Sequence, residues 1–233
     1  MIYVTGDVHG LPSSMRRFNT RNFPQQKNMT KDDYVIVVGD FGWVWYGEEN
    51  NAEEKYWLRW LNEKPWTTIW VDGNHENHFL LDNMPVEEWN GGKVHKVKDS
   101  IYHLMRGQVF NLQGKKFFTF GGAASHDKEH RKEWINWWAR EMPSYAEYEE
   151  GLNNLDKNEC IVDFVLTHTC SESTLQTLAD NYGMRYDVDV MHEYFEEIQT
   201  KLQYQKWFFG HFHKNLNLPN KQILIYEQMI RIL

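Results

Sequence analysis

Five short stretches of the 233-residue sequence carry groups able to grip metal ions: Asp7 and His9 in GDVHG, Asp40 in VVGDFG, Asn74 in DGNHEN, His168 in VLTH, and His211 with His213 in FFGHFH. Carboxylate, imidazole and a neutral amide, with no thiolate, suit Mn²⁺ first, and Fe, Zn²⁺, Co²⁺ or Ni²⁺ after it, better than they suit a soft metal. Seven such groups exceed the roughly four to six that one ion takes. Two ions sharing a bridging carboxylate account for the number, and two-metal hydrolases hold their ions ~3.5–4 Å apart.

Each group follows at once on an apolar run. MIYVT (1–5), YVIVVG (34–39), TTIWVDG (67–73), DFVLTH (163–168) and KWFFGH (206–211) lead into the five stretches, and KFFTFGG (116–122) and ILIYE (223–227) are of the same kind. Continuous rather than alternating apolarity belongs to strands covered on both faces. Gaps of 33, 34, 94 and 43 residues separate Asp7, Asp40, Asn74, His168 and His211, so only a fold can gather them. Ligands of open α/β sheets bind beyond the carboxyl ends of the strands.

Helical patterns lie between the runs. Asn51 with Glu54 reads as a capping box, followed by Ala52, Tyr56, Trp57, Trp60 and Leu61 on one side. Asp187 is placed to cap a second helix with the stripe Val188, Met191, Phe195, Ile198 and Leu202. The charged, Trp-rich stretch 126–158 interrupts the rhythm and reads as one or two helices crossing the surface, in the position of a lid. Strand and helix alternate with no linker or repeat, so the expectation is an α/β protein of one domain over 1–233.

Composition narrows the partners. A net charge of −8 argues against stable duplex DNA binding, where phosphate charge dominates affinity. Cys160 and Cys170 lack any CxxC spacing, which favours a reducing compartment. No basic leader and no run of ~20 apolar residues is present, so the expectation is a cytoplasmic protein away from membranes. Composition leaves the oligomeric state open.

In this order, on strand ends, GDVHG, VVGDFG, DGNHEN, VLTH and FFGHFH resemble the five motifs of the calcineurin-like metallophosphoesterases over residues 6–213. The resemblance implies a four-layer α-β-β-α sandwich of two mixed β-sheets flanked by helices. It implies a dinuclear centre with Asp7, His9 and His213 on one ion, Asn74, His168 and His211 on the other, and Asp40 bridging. It also implies hydrolysis of phosphate mono- or diesters by a hydroxide held between the ions, without a phosphoenzyme. His75 matches the family's motif histidine and is the candidate general acid.

The second motif departs from the relatives whose GDVHG and GNHE it shares, the Ser/Thr protein phosphatases and diadenosine tetraphosphatases. Those continue GDxVDRG, whereas GDFGWVW puts Trp43 and Val44 at the acidic residue and the phosphate-binding arginine. Asp127 and Arg131 in GGAASHDKEHR are candidate substrate contacts, or a polar turn capping a surface helix. Trp43, Trp45 and Tyr46 either stack a nucleobase or pack the core and lid. The remaining histidines, His78, His95, His103, His126, His130 and His192, read as structural or solvated. The expected substrate is a phosphorylated small molecule or nucleotide. A nuclease on short or single strands, a protein phosphatase-like enzyme and a non-catalytic scaffold are the alternatives, and the scaffold is disfavoured because no ligand position is lost.

Overall fold

Chain segments that are apolar at every position must be covered on both faces, and the computed structural model of the chain, which describes residues 1–47 and 49–233, covers them with a second sheet on one side and helices on the other. In chain order the strands among the described residues are β1 (Ile2–Thr5), β2 (Tyr34–Val38), β3 (Thr67–Val71), β4 (Val86–Trp89), β5 (Gly92–Lys98), β6 (Ile101–Leu104), β7 (Gln108–Leu112), β8 (Lys115–Phe120), β9 (Phe164–Thr167), β10 (Lys206–Phe209), β11 (Leu216–Asn217), β12 (Gln222–Leu224) and β13 (Ile230–Arg231). The first sheet runs β13-β1-β2-β3-β6-β5-β4 and the second β11-β12-β10-β9-β8-β7. Both are mixed. Pairs β1–β2, β2–β3 and β3–β6 are parallel, as are β8–β9, β9–β10 and β10–β12, while the edge pairs β4–β5, β7–β8, β11–β12 and β1–β13 are antiparallel.

The period of two along each strand sorts its side chains between layers. Ile2, Val4, Ile36, Val38, Ile69 and Val71 face Phe110, Phe117, Phe164, Leu166 and Phe208 across the gap between the sheets. The intervening Tyr3, Val35, Val37 and Trp70 face outward to Leu58 and Leu61 of helix α1 (Ala52–Asn62) and to Phe18, Phe23 and Trp66. On the far side Phe118, Phe120, Val165, Trp207 and Phe209 meet helices α3 (Tyr145–Lys157), α4 (Glu172–Tyr182) and α5 (Val190–Lys201). A short helix, α2 (His78–Asp82), follows the third motif. The four layers are those the resemblance implies. No helix among the described residues is long and apolar enough to cross a membrane.

Three sequence expectations need revision. Asn51 does cap α1, its side chain accepting from the Glu53 and Glu54 amides, but the Glu54 carboxylate turns away to the amides of Trp45 and Tyr46 instead of closing a capping box. Ala52 and Tyr56 are then exposed and Leu58 is buried, because the helix presents the Glu54–Leu58–Leu61 side to the sheet. The cap of α5 is Asp189, not Asp187, with His192 completing a capping box, which leaves Val188 exposed and Met191, Phe195 and Ile198 buried. Strands β4 to β7 occupy 86–112, where the apolar runs suggest none. They are hairpin strands with one face partly open, as the exposed Val86, Glu87 and Glu88 show, so no continuous apolar run marks them.

Within 126–158 only the second half is α-helical, capped by a Ser144–Glu147 box. The first half is irregular, with 3₁₀ turns at Lys128–His130 and Ala139–Glu141 and a bridge between Glu133 and Trp137.

Candidate metal centre

The parallel strands β1, β2 and β3 of one sheet and β9 and β10 of the other end on the same side of the sandwich, and each end turns sharply. Of the seven candidate ligands, His9, Asp40, His211 and His213 have φ of 56°, 49°, 68° and 49°. Left-handed backbone at a non-glycine residue costs roughly 1–2 kcal/mol, and such strain gathers at functional sites held by their surroundings. The turns are locked by long-range bonds: the amides of Val8 and His9 donate to the Asp40 carbonyl at 2.9 and 2.6 Å. The His75 amide donates to Asp40 Oδ1 at 2.7 Å, and the His211 amide to both oxygens of Asp7 at 3.2 Å.

Glycines next to the ligands leave no room for a side chain, and two of them make space for the carboxylates themselves. A Cβ on Gly73 would stand 2.1 Å from Asp40 Oδ1, and one on Gly210 would stand 2.2 Å from Asp7 Oδ1. The missing side chains let the two carboxylates lie against neighbouring backbone.

The donor atoms form two adjoining groups. In the first, His9 Nε2 and His213 Nε2 are 2.8 Å apart, Asp7 Oδ2 is 3.0 Å from His213 Nε2, and His9 Nε2 is 3.8 Å from Asp7 Oδ2 and 3.7 Å from Asp40 Oδ2. Donor atoms of these four residues all lie within 4.8 Å of one another. In the second, Asn74 Oδ1 is 3.2 Å from His168 Nε2 and 3.0 Å from His211 Nδ1, and Asp40 Oδ1 is 3.3 Å from His168 Nε2. Donors bound ~2.0–2.2 Å from one shared cation stand roughly 3–3.6 Å apart. The spacings and the nitrogen–oxygen donor set therefore fit a divalent cation in each group, and Asp40 faces both with one oxygen each.

Protonation agrees with that arrangement. The Asp40 carboxyl is buried, which works against its charge, yet His168, His9 and His75 hold it well below the usual range. Burial would lower His168, but Asp40 outweighs it and pushes the imidazole up to about 10. A field that favours a proton there also favours a cation. Burial, then His168, keeps His211 well below the ordinary value and one ring nitrogen free to bind. His168 Nδ1 donates to the Val38 carbonyl at 2.9 Å, so the second ring proton sits on Nε2 facing the site, where a bound cation would replace it.

The family model described as calcineurin-like phosphoesterase matches residues 1–215 of the 233. The chain belongs to the calcineurin-like phosphoesterases. No individual curated protein matches it. Members of this family are phosphoesterase hydrolases that work with a dinuclear metal centre, so this chain is a metal-dependent hydrolase of phosphoric esters.

The tertiary structure adds residues that support this calcineurin-like site, and of these only Glu76 lies within a motif. Ser125 Oγ accepts from Asn74 Nδ2 at 3.0 Å and donates to Glu141 at 2.6 Å, which turns Asn74 Oδ1 toward the histidines. Buried Glu76 accepts from the Phe41 and Gly42 amides at 2.7 and 3.1 Å and fixes the turn after Asp40. Arg17 donates to the carbonyls of Gly6, Asp7 and Tyr226 at 2.8–3.0 Å and clamps the end of β1.

Arg131 reaches the site from the irregular segment. Its terminal nitrogens stand 3.3 and 3.0 Å from His75 Nδ1 and Nε2, while Asp127 grips it from behind at 2.7 and 2.9 Å. The question left by Trp43 and Val44 has a structural answer: an arginine, not a carboxylate, lies against the His75 ring. Burial first, with Arg131 adding to it against the pull of Asp40, drives His75 down to about 4. Trp43 packs in the core and Val44 is buried beside it. Of the other histidines, His78, His95, His103 and His192 are buried and His126 lies edge-on to Tyr186.

Proposed function

We propose that the chain hydrolyses phosphate mono- or diesters of a small molecule or nucleotide, using two Mn²⁺ ions. Asp7, His9 and His213 would hold one ion, Asn74, His168 and His211 the other, and Asp40 both. The observation that carries this is the double convergence on Asp40, whose two oxygens face separate donor groups. When bound, the ion pair supplies Lewis acidity toward the phosphoryl oxygens and makes water nucleophilic near neutral pH.

The chain's own residues do the remainder. Arg131, pinned by Asp127 in the geometry of a fork, is the cation that would draw in and orient the substrate phosphate, in the role the second motif leaves vacant. His75, which Arg131 contacts at both ring nitrogens, would give the leaving oxygen its proton. Held down to about 4, it carries that proton in only a small fraction of molecules at neutral pH, so turnover through it should rise as pH falls. Residues 126–158 would cover the site as a lid within one catalytic domain of 1–233. The free cysteines Cys160 and Cys170 support the cytoplasm as its compartment.

The test is a panel of p-nitrophenyl phosphate, bis-p-nitrophenyl phosphate and nucleotides with purified protein and Mn²⁺. Turnover should require added metal and vanish in Asp40→Ala. His75→Ala should depress kcat on the order of 10²–10⁴-fold while metal content holds. Undiminished turnover in Asp40→Ala would end the proposal.

A further inference from the structure

Beyond Asp40 the chain dips into the core with Phe41, Trp43 and Val44 and then comes out at Trp45 and Tyr46. Trp45 and Tyr46, with Asn51 and Glu53 at the start of α1, wall a cavity of about 340 Å³ whose inner end is His9 and His75. That volume lies in the range of small-molecule pockets. Because the cavity shares those two histidines with the metal centre, a group esterified to a phosphate held there extends into it.

The walls are built rather than loose. The Glu54 carboxylate accepts from the Trp45 and Tyr46 amides at 3.0 and 2.8 Å, and Asn77 Nδ2 donates to the Trp45 carbonyl at 2.6 Å. Trp45 is also buttressed edge-on by Trp138, ring centroids 5.3 Å apart. Tyr46 is nonetheless 59% exposed. Trp45 is a braced aromatic wall and Tyr46 an exposed one at the mouth of the site, and aromatic faces so placed can stack a planar ring.

Charge narrows the occupant. Among the described residues no lysine or arginine lines the cavity, while Glu53 and Glu54 do. A leaving group carrying a further phosphate would be repelled, and a planar uncharged ring with N–H donors would be accepted. We propose that this cavity is a nucleoside subsite, so that the substrate is a phosphate ester whose leaving group is a nucleoside. The proposal rests on the hydrolase reading above. In the reaction the P–O bond to the nucleoside oxygen breaks, the water oxygen forms the new P–O bond, and the departing oxygen takes up a proton.

The test compares the Mn²⁺-loaded protein on two matched pairs: adenosine 5′-monophosphate against ribose 5-phosphate, and the methyl diester of each. The nucleoside member should have a kcat/KM at least about tenfold higher. Base stacking is worth about 1–3 kcal/mol by alanine substitution, so Trp45→Ala should shrink that ratio roughly tenfold, and so should Tyr46→Ala, whose exposed ring leaves folding unaffected. Equal rates within both pairs, or variants that leave the ratio intact, overturn the subsite. If no ester is hydrolysed with any metal, the hydrolase reading is what failed, and binding decides the subsite separately. Saturable quenching of tryptophan fluorescence by adenosine, weakened in Tyr46→Ala, upholds it, and no quenching overturns it.

Discussion

Gly73→Ala tests whether the site is as tightly gathered as described, because Gly73 is not itself a ligand. Its backbone is not in the left-handed region, so an alanine there meets a purely steric problem. The new Cβ would lie 2.1 Å from Asp40 Oδ1, 2.5 Å from the Asp40 amide nitrogen and 2.8 Å from Asp40 Cγ, whereas ordinary contact begins near 3.4 Å. More than about 1 Å must therefore be found, and Asp40 is buried with its carbonyl held by the Val8 and His9 amides and its carboxylate by the His75 amide. Displacement of about 1 Å at a reacting site costs on the order of 10²-fold in rate. Overpacking costs about 1–3 kcal/mol of stability, or roughly 2–12 °C in Tm for a chain of this size. The assay pairs kcat/KM with metal content by mass spectrometry and Tm by calorimetry. Gly114→Ala, in the β7–β8 hairpin, has nothing within 4 Å of its Cβ but a left-handed φ of 77°, so it is the control for lost stability alone: Tm should fall while metal and rate are kept. A Gly73→Ala protein with two bound cations and undiminished kcat/KM would refute the claim that Asp40 is wedged between the two donor groups.

Two other predictions follow from the same geometry. Removing Arg131, with Arg131→Ala, should weaken inhibition by inorganic phosphate and raise KM about 10–150-fold, the equivalent of one charge-assisted bond of about 1.5–3 kcal/mol. Arg131→Lys should recover only part, and an unchanged inhibition constant would remove Arg131 from substrate binding. His78 is buried, and burial followed by Arg106 drives its pKa down to about 3 against the pull of Asp72. Between pH 6.5 and 3 the unfolded chain therefore binds a proton that the folded chain does not, so stability falls as pH drops through that window, by up to ~1.4 kcal/mol per pH unit. Urea unfolding at pH 7, 6, 5 and 4 should show a shallower loss in His78→Gln, and equal slopes in the two proteins would assign the acid sensitivity elsewhere.

The metal-centre candidates could be read from sequence because each sits directly after its strand. An apolar run followed by glycine and a ligand is a local pattern, and parallel strands carry all such ends to one edge. The edge hairpins at 86–112 had no such signal. Val94 and Leu104 are buried but alternate with residues that meet water or polar partners, and half-covered strands lose the continuous apolar run. The α5 cap was misplaced for a related reason. Asp187 and Asp189 offer the same side chain, and the choice falls to Asp189 because a helix starting at Val190 buries Met191, Phe195 and Ile198 together.

The roles of Ser125, Glu141 and Arg17 were silent in the sequence because their partners lie 51, 16 and 10–209 residues away. Periodicity and capping rules reach only a few residues along the chain. By itself, then, the sequence determined which groups stand at strand ends and that both faces of those strands must be covered. The tertiary structure alone decided which donor group each Asp40 oxygen faces, that an arginine from the irregular segment lies on His75, and that the loop after Asp40 opens into an aromatic cavity. The physical reason is that strand and helix are fixed by neighbours along the chain, whereas a site is fixed by atoms that only packing brings within 3–4 Å.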